Sequence, residues 1–192
     1  MSGSVESRIA PGSNVLVLAD RSDPEATKAC YRLLTAPDAD PATLNVVQVS
    51  CTRSPDQLVS EWNDHVGTPP ASFHVVSALG GPSLGDETPS GPEGVSVVSA
   101  HPSDLTGLAM RMRDSVEEAM AHDGPLTVGV DALTPLLEYN SVQSTYKFLH
   151  MFSGRLAEVS ASTHFLLDPN ACDEQTVHKL KTLVDDVVTV DQ

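Results

Sequence analysis

Short apolar runs alternate along the chain with longer segments in which apolar residues recur every three or four positions. The first pattern is typical of buried strands, and the second of amphipathic helices. The predicted strands cover residues 14–19, 44–50, 72–77, 95–99, 126–131, 163–167 and 187–190. The predicted helices cover residues 24–34, 55–65, 103–122, 140–159 and 174–183. This alternation predicts an α/β fold of three layers, with helices on both faces of a mostly parallel sheet of about seven strands.

Local signals mark the ends of several helices. Ser22 or Asp23 can cap the first helix, which has Pro24 at its first position. Ser54 is placed in the same way before the second helix. The first helix is expected to stop before Pro37, because the residue before a proline disfavours helical geometry.

Two stretches carry neither pattern. Residues 1–13 are small and polar, which predicts a loose N-terminal arm. Residues 80–94 are rich in glycine, proline and acids, which predicts a surface loop. The chain contains no internal repeat and no linker, so residues 14–192 are expected to form a single domain.

The apolar run Leu126–Asp131 ends on an acid, which is how many nucleotide-binding α/β proteins place a carboxylate for magnesium. Such folds bind phosphate just after the first strand, where a glycine-rich turn, a lysine and a hydroxyl group contact it. The matching residues 19–26, ADRSDPEA, have no glycine, no lysine and three acids, and Lys28 lies a turn into the helix. Because carboxylates repel a triphosphate, a plain capped turn is the favoured interpretation. A ligand other than phosphate is the alternative.

The net charge of the chain argues against some classes of function. The 192 residues include 26 acids and 11 lysines and arginines, for a formal net charge of −15. This charge argues against binding to nucleic acid. Scattered acids with few lysines suit a high-salt cytoplasm, although an ordinary acidic protein is the alternative. The sequence has neither a signal-peptide core nor the roughly 20 apolar residues of a membrane span, so a cytoplasmic protein is expected.

Metal and nucleophile motifs are missing. Cys30, Cys51 and Cys172 are far apart, and none belongs to a CxxC pair, so neither disulfides nor a zinc site is indicated. The seven histidines show no metal-ligand spacing, and the chain has no G-x-S-x-G turn. Asp168 and Asp173 could bind a cation, but acids at a strand end and a helix start are the favoured interpretation. No cofactor and no metal are predicted.

Three segments carry a resemblance to a known family. They are HPSDLTGLAMRM at 101–112, VGVDALTPLLEYNSVQSTYKFLHMFSGRL at 128–156 and HFLLDPNACDEQTVHKLKTLVDDVV at 164–188. Together they make residues 14–190 resemble a RecA-superfamily domain of the KaiC type. More narrowly, the chain is similar to small uncharacterised KaiC-like proteins of halophilic archaea. The resemblance implies a RecA-like, P-loop NTPase-type fold and side-by-side assembly, either with itself or with an active relative.

The resemblance also implies roles for single positions, and most of the residues needed for ATP hydrolysis are absent. Asp131 matches the aspartate that holds magnesium through water. The phosphate-gripping glycines, lysine and threonine would fall within residues 19–26 and are missing, so the Walker A motif is degenerate. The paired glutamates, one of which is the general base, are replaced by Thr52 and Arg53. No catalytic residue is therefore expected.

These losses favour a non-catalytic, pseudo-ATPase domain that acts through contacts with a protein partner or with itself, in regulation or signalling. In this interpretation Asp131 serves local hydrogen bonding. The alternative is an atypical nucleotide-binding protein or ATPase, in which Arg21 or Lys28 replaces the missing lysine and Asp131 keeps magnesium. A third hypothesis is an enzyme of unrelated chemistry that uses residues 80–94 as a lid.

Overall fold

A computed structural model describes residues 10–35, 39–79 and 91–190. Within these ranges seven strands form one sheet, in the order β4-β3-β2-β5-β6-β1-β7. The strands are β1 (Asn14–Leu18), β2 (Asn45–Ser50), β3 (Ser72–Ser77), β4 (Val95–Ser99), β5 (Leu126–Asp131), β6 (Ser162–Leu167) and β7 (Asp186–Thr189). Every neighbouring pair is parallel. The predicted sheet is therefore confirmed, and it is parallel throughout.

Six α-helices cover the two faces of this sheet in the described ranges. They are α1 (Pro24–Thr35), α2 (Pro55–His65), α3 (Leu105–Met120), α4 (Leu133–Tyr139), α5 (Val142–Glu158) and α6 (Glu174–Lys181). Helices α1 and α2 pack on one face, and α3 to α6 pack on the other. The chain therefore has the predicted three-layer αβα architecture.

The side chains of each strand alternate between the two layers. On β2, Val46 packs with α1 and α2, whereas Val47 belongs to the larger cluster with α3 to α6. Burial on both faces explains why the inner strands are mostly apolar. On the α2 side, Trp62 is almost fully buried, and its ring centroid lies 5.7 Å from that of Phe73.

Two features between β4 and α5 differ from the prediction. Helix α3 begins at Leu105 and not at residue 103, because the side chain of Asp104 caps it by accepting from Gly107 N–H. Helix α4 was not predicted, because it is short and has no side-chain cap hydrogen bond to mark its start. The long helix begins after it, where Ser141 Oγ accepts from Ser144 N–H.

Helix α5 packs Leu149, Phe152 and Leu156 into the core. Thr145 and Ser153 are fully buried, whereas Tyr146 lies partly exposed. Lys179 Nζ sits 4.9 Å from the Tyr146 ring centroid, and the phenol oxygen lies 3.3 Å from Thr182 Oγ1. Tyr146 thus packs against the central core and also contacts α6.

The domain begins earlier than its first strand. Gly12 N–H donates to Ser162 Oγ at 2.9 Å, and Thr163 N–H donates to Ser13 O at 2.9 Å. Residues 10–13 were predicted to belong to the loose arm, but two of them are hydrogen-bonded to β6. Residues 1–9 and residues 80–90 of the predicted loop lie outside the described residues. No helix in the part of the chain that the structure describes is long and apolar enough to span a membrane.

Candidate functional site

The candidate site lies at the carboxyl edge of the sheet, where β2 and β5 end side by side. Ser50 and Asp131 are the last residues of these strands, and they are partners in the parallel register. Ligands of open α/β sheets bind beyond the carboxyl ends of the strands. This edge is therefore where any ligand of the fold is expected.

The carboxylate of Asp131 is surrounded by polar groups from β2 and the turn that follows it. Its Oδ2 atom accepts from Thr52 Oγ1 at 3.1 Å and from Ser50 Oγ at 3.4 Å. Arg53 Nε lies 3.6 Å from the same oxygen. The Asp131 side chain is only 13% exposed and that of Arg53 only 16%, so the ion pair is well shielded from water.

Ser50 also fixes the turn that carries these groups. Its Oγ accepts from the backbone N–H of Thr52 at 3.2 Å and of Arg53 at 3.0 Å. One hydroxyl therefore holds two main-chain donors while it donates to Asp131. This arrangement turns the chain back over the sheet edge and directs the arginine towards the end of β5.

The Arg53 guanidinium joins three elements. Its Nη1 lies 3.0 Å from Glu61 Oε2 on α2, and its Nη2 donates to Thr27 Oγ1 on α1 at 3.3 Å. Tyr31 Oη donates to the same Glu61 oxygen at 3.1 Å. We refer to Arg53, Asp131, Glu61 and Thr27 as the Arg53 bridge.

Burial sets the electrostatics of this edge. It raises the pKa of Asp131 above its usual value, and the nearby Arg53 charge and the Thr52 hydrogen bond oppose that rise. Burial, together with the Asp131 charge, raises the pKa of Cys51 to about 12. The Cys51 thiol is therefore protonated at neutral pH and is a poor nucleophile or metal ligand.

The turn between β1 and α1 is closed by its own acids. Asp20 Oδ1 accepts from Ser22 N–H at 2.8 Å and from Ser22 Oγ at 2.6 Å. Asp23 Oδ1 accepts from Glu25 N–H at 2.9 Å, at the start of the helix. Main-chain donors that could grip a phosphate are thus already bonded to carboxylates. This geometry is that of the plain capped turn predicted from the sequence.

The two bases proposed as substitutes for the missing lysine differ in position. The Arg21 charge acts on both Asp131 and Cys51 and opposes the rise of their pKa values, so Arg21 belongs to the same edge. Lys28 lies a turn into α1, and its Nζ is 3.5 Å from Glu25 Oε1 on the exposed helix surface. Of the two, Arg21 is the one placed near the candidate site.

The second acidic cluster is structural. Asp168 Oδ1 accepts from Asn170 N–H at 2.9 Å, and Asp173 Oδ1 accepts from Thr176 N–H at 2.7 Å. Both acids therefore cap helical turns, as the favoured interpretation predicted. In the ranges that the structure covers, no group of three or more histidine, cysteine or acidic side chains could hold a metal, and the three cysteines are free.

Sequence reasoning missed three residues around Arg53, namely Thr27, Ser50 and Glu61. The sequence position of Glu61 could have indicated its role. It shares one face of helix α2 with Leu58 and Trp62, which are both buried. An acid on an inward helix face needs a cationic partner, because an unpaired buried charge is costly. Glu61 therefore pointed to an arginine facing α2.

Fold and site together define a class, namely three-layer αβα proteins with an all-parallel sheet and a candidate ligand edge at the ends of β2 and β5. Within that class, the chain belongs to DUF7504, a family of unknown function whose model matches residues 12–190.

One solved structure supports the fold. It is a protein of Pyrococcus horikoshii OT3 determined in a structural study of project PH0250. The similarity covers 96% of this chain and 84% of that one, with a TM-score of 0.58 and 13% sequence identity. A comparison with curated proteins found no match.

Proposed function

We propose that the protein is a non-catalytic, KaiC-like domain of the RecA superfamily, which acts in regulation or signalling through protein contacts. The observation that carries the proposal is the Arg53–Asp131 ion pair. In this proposal the chain itself supplies the charges that a nucleotide and its magnesium would supply in an active relative.

The cation of the site is Arg53. Magnesium in such sites is usually held by one or two carboxylates together with substrate phosphates and water. Here the carboxylate of Asp131 faces a guanidinium that is itself held by Glu61 and Thr27. A metal at Asp131 would have to displace an arginine that is anchored on two other helices.

The anions of the site are Asp20 and Asp23. Their carboxylates bind the main-chain N–H groups of the turn and of the start of α1. A phosphate at this turn would meet two negative charges where other phosphate-binding turns offer free donors. Both halves of a nucleotide site are thus filled by side chains of the protein.

Displacement of Arg53 opposes magnesium binding, because the guanidinium would lose its contact with Asp131 and keep only those with Glu61 and Thr27. A nucleotide would also have to overcome the negative charges of Asp20 and Asp23 at the first turn.

The alternative function is atypical nucleotide binding or hydrolysis. The position of Arg21 favours it, since this exposed base acts electrostatically on Asp131 and could meet a phosphate there. In that proposal Asp131 exchanges Arg53 for magnesium when nucleotide binds, and Lys28 contributes from α1.

The surroundings that we propose for the protein are a salt-rich cytoplasm. The net charge of −15 with only 11 lysines and arginines supports this, because concentrated salt screens the self-repulsion of such a surface. The partner is another protein or a second copy of the chain, and not nucleic acid.

Isothermal titration calorimetry with ATP and magnesium in molar KCl tests the proposal. We expect no heat of binding up to millimolar nucleotide and no release of phosphate. Micromolar binding or turnover would overturn it. If binding is found, Asp131→Ala should abolish it under the alternative function, whereas Asp123→Ala, which changes an exposed acid outside the site, should leave it unchanged.

A further inference from the structure

His74 is a buried histidine next to the β4 edge of the sheet. It lies on β3, it is only 6% exposed, and its register partners are Val47 on β2 and Ser96 on β4. Neither ring nitrogen has a hydrogen-bond partner among the described residues. A buried polar group without a partner is costly, and a buried charge that is poorly paired is more costly still. The surroundings of His74 therefore favour the neutral imidazole over the imidazolium.

One acid lies close to this ring. Glu118 on α3 places its Oε2 atom 3.6 Å from His74 Nδ1, which is beyond the length of a good hydrogen bond. The Glu118 side chain is 60% exposed, and the same oxygen accepts from Ser96 Oγ at 3.4 Å. Because this carboxylate is solvated and shared with Ser96, it compensates only in part for the burial of a charge on His74.

The other titratable group that acts on the ring is a base. His122 lies in the turn after α3, and its charge opposes protonation of His74, whereas Asp123 beside it is exposed. Val47 and Ser96, which flank the ring on the neighbouring strands, do not titrate. Burial is the largest influence, and it lowers the pKa of His74 below 6.5 although the Glu118 charge opposes this. His74 is therefore neutral at pH 7 and resists protonation while it stays buried.

Strand β4 is the element whose movement would uncover this histidine. It is an edge strand that pairs with β3, and Val97 is the one buried residue of its five. The Ser96–Glu118 hydrogen bond also connects it to α3. Elements with few buried contacts open locally at a lower free energy than global unfolding. When β4 separates from β3, Ser96 moves away from His74 and water reaches the ring.

We propose that His74 and Glu118 form an acid-sensitive latch that controls strand β4. In the closed state the ring is neutral and β4 covers it. In the open state β4 has separated from β3, and the ring is protonated in water. Because the open state binds the proton more tightly, acidification shifts the chain towards it. The inference goes beyond the proposed function, since it concerns the sheet edge at β3 and not the Arg53 bridge.

The direction and the size of the effect follow from proton linkage. The pKa of His74 is below 6.5 in the closed state, so the neutral ring stabilises that state fully above pH 6.5. This stabilisation is lost as the pH falls from 6.5 towards the lower pKa. In that window the ratio of open to closed molecules rises by up to about tenfold for each unit of pH. The edge of β3 that opening exposes can pair with another strand.

Hydrogen–deuterium exchange of the full chain, corrected for the intrinsic pH dependence of amide exchange, tests the latch. Between about pH 7.5 and about pH 5.5, the amides of residues 95–99 should lose several-fold of their protection. The amides of β5 at the centre of the sheet should change far less. Equal protection of residues 95–99 at the two pH values would overturn the proposal.

Three substitutions identify the sensor. His74→Leu should abolish the pH dependence of residues 95–99, because leucine fills the buried position without a titratable group. Glu118→Gln should extend the dependence to lower pH, since loss of the carboxylate charge lowers the closed-state pKa of His74 further. His178→Leu removes an exposed histidine from α6 and is the matched control, which should keep the wild-type dependence. A His74→Leu variant that also keeps it would exclude His74 as the sensor.

A measurement on the wild-type chain makes the test independent of how the variants fold. The NMR titration of the His74 ring protons should give a pKa below 6.5, and the titration should run parallel to the loss of protection at residues 95–99. A ring that titrates at or above 6.5, or one that titrates while β4 stays protected, would overturn the latch.

Discussion

The guanidinium of Arg53 contacts the carboxylate of Asp131, with Nε 3.6 Å from Oδ2, and the two side chains belong to neighbouring strand ends. Thr52 contacts the same carboxylate oxygen, which accepts from its Oγ1 at 3.1 Å. Under the proposed function, Thr52 and Arg53 replace a pair of glutamates, and Arg53 supplies a fixed positive charge to Asp131.

Replacing Arg53 tests whether this charge stabilises the fold. We expect Arg53→Met to lower the free energy of unfolding by about 2–3 kcal/mol, because Asp131 and Glu61 are left without their shared cation. Denaturant unfolding in molar salt measures the effect. Lys28→Met is the matched control. It breaks an exposed ion pair with Glu25, and it should change stability by no more than about 0.5 kcal/mol. Equal losses in the two variants would contradict the role of Arg53.

The same variant should depend on pH in a defined direction. Burial already raises the pKa of Asp131 above 3.8, and removing the opposing Arg53 charge raises it further. A carboxyl group whose pKa is raised in the folded state favours folding below its unfolded pKa, and this contribution is lost as pH rises through the folded pKa. The stability deficit of Arg53→Met should therefore be largest at neutral pH and shrink towards pH 4. Adding Asp131→Asn to Arg53→Met should remove the Asp131 part of this dependence.

The substitution Asp131→Asn tests whether Asp131 stabilises the fold or binds magnesium. The substitution leaves Arg53 with Glu61 but removes the negative charge at β5, so we expect a loss of about 1–2 kcal/mol in stability. Thermal unfolding and magnesium–ATP titration of the same sample are the measurements. An unchanged melting temperature combined with the loss of a magnesium-dependent activity would show that Asp131 is a metal ligand.

Gly129 in the middle of β5 is required by its neighbour on β6. A Cβ atom at this position would lie 2.8 Å from His164 Cε1 and 3.3 Å from Leu34 Cδ2. We expect Gly129→Ala to destabilise the protein by about 1–3 kcal/mol, because the buried ring cannot move away freely. A double-mutant cycle with His164→Ser checks the cause. In the His164→Ser background the alanine should cost clearly less, and equal costs would place the strain elsewhere.

The layers of the fold could be predicted because periodicity alone determines them. The run Leu126–Asp131 has the length and composition of a doubly buried strand. The structure places it as β5 at the centre of the seven-stranded sheet, between β2 and β6. Helix α4 could not be predicted in this way, because seven residues without a side-chain cap give too little pattern.

The candidate site was only half predictable. The absence of glycines in the first turn could be read directly from the sequence, whereas the replacement of acids by Thr52 and Arg53 is only what the family resemblance implies. That Arg53 would point back to Asp131 depends on the register of Ser50 with Asp131 and on the position of Glu61. Such relationships join residues up to 81 positions apart along the chain, and no local pattern specifies them.

The self-contained charges of the Arg53 bridge and the first turn also constrain how the sequence can evolve. Under the proposed function, phosphate binding would require glycines in place of Asp20 and Asp23, and an acid in place of Arg53. Each of these changes, made first, breaks a hydrogen bond or leaves a buried carboxylate unpaired. Single substitutions towards a phosphate site therefore pass through less stable proteins, which disfavours that direction of change.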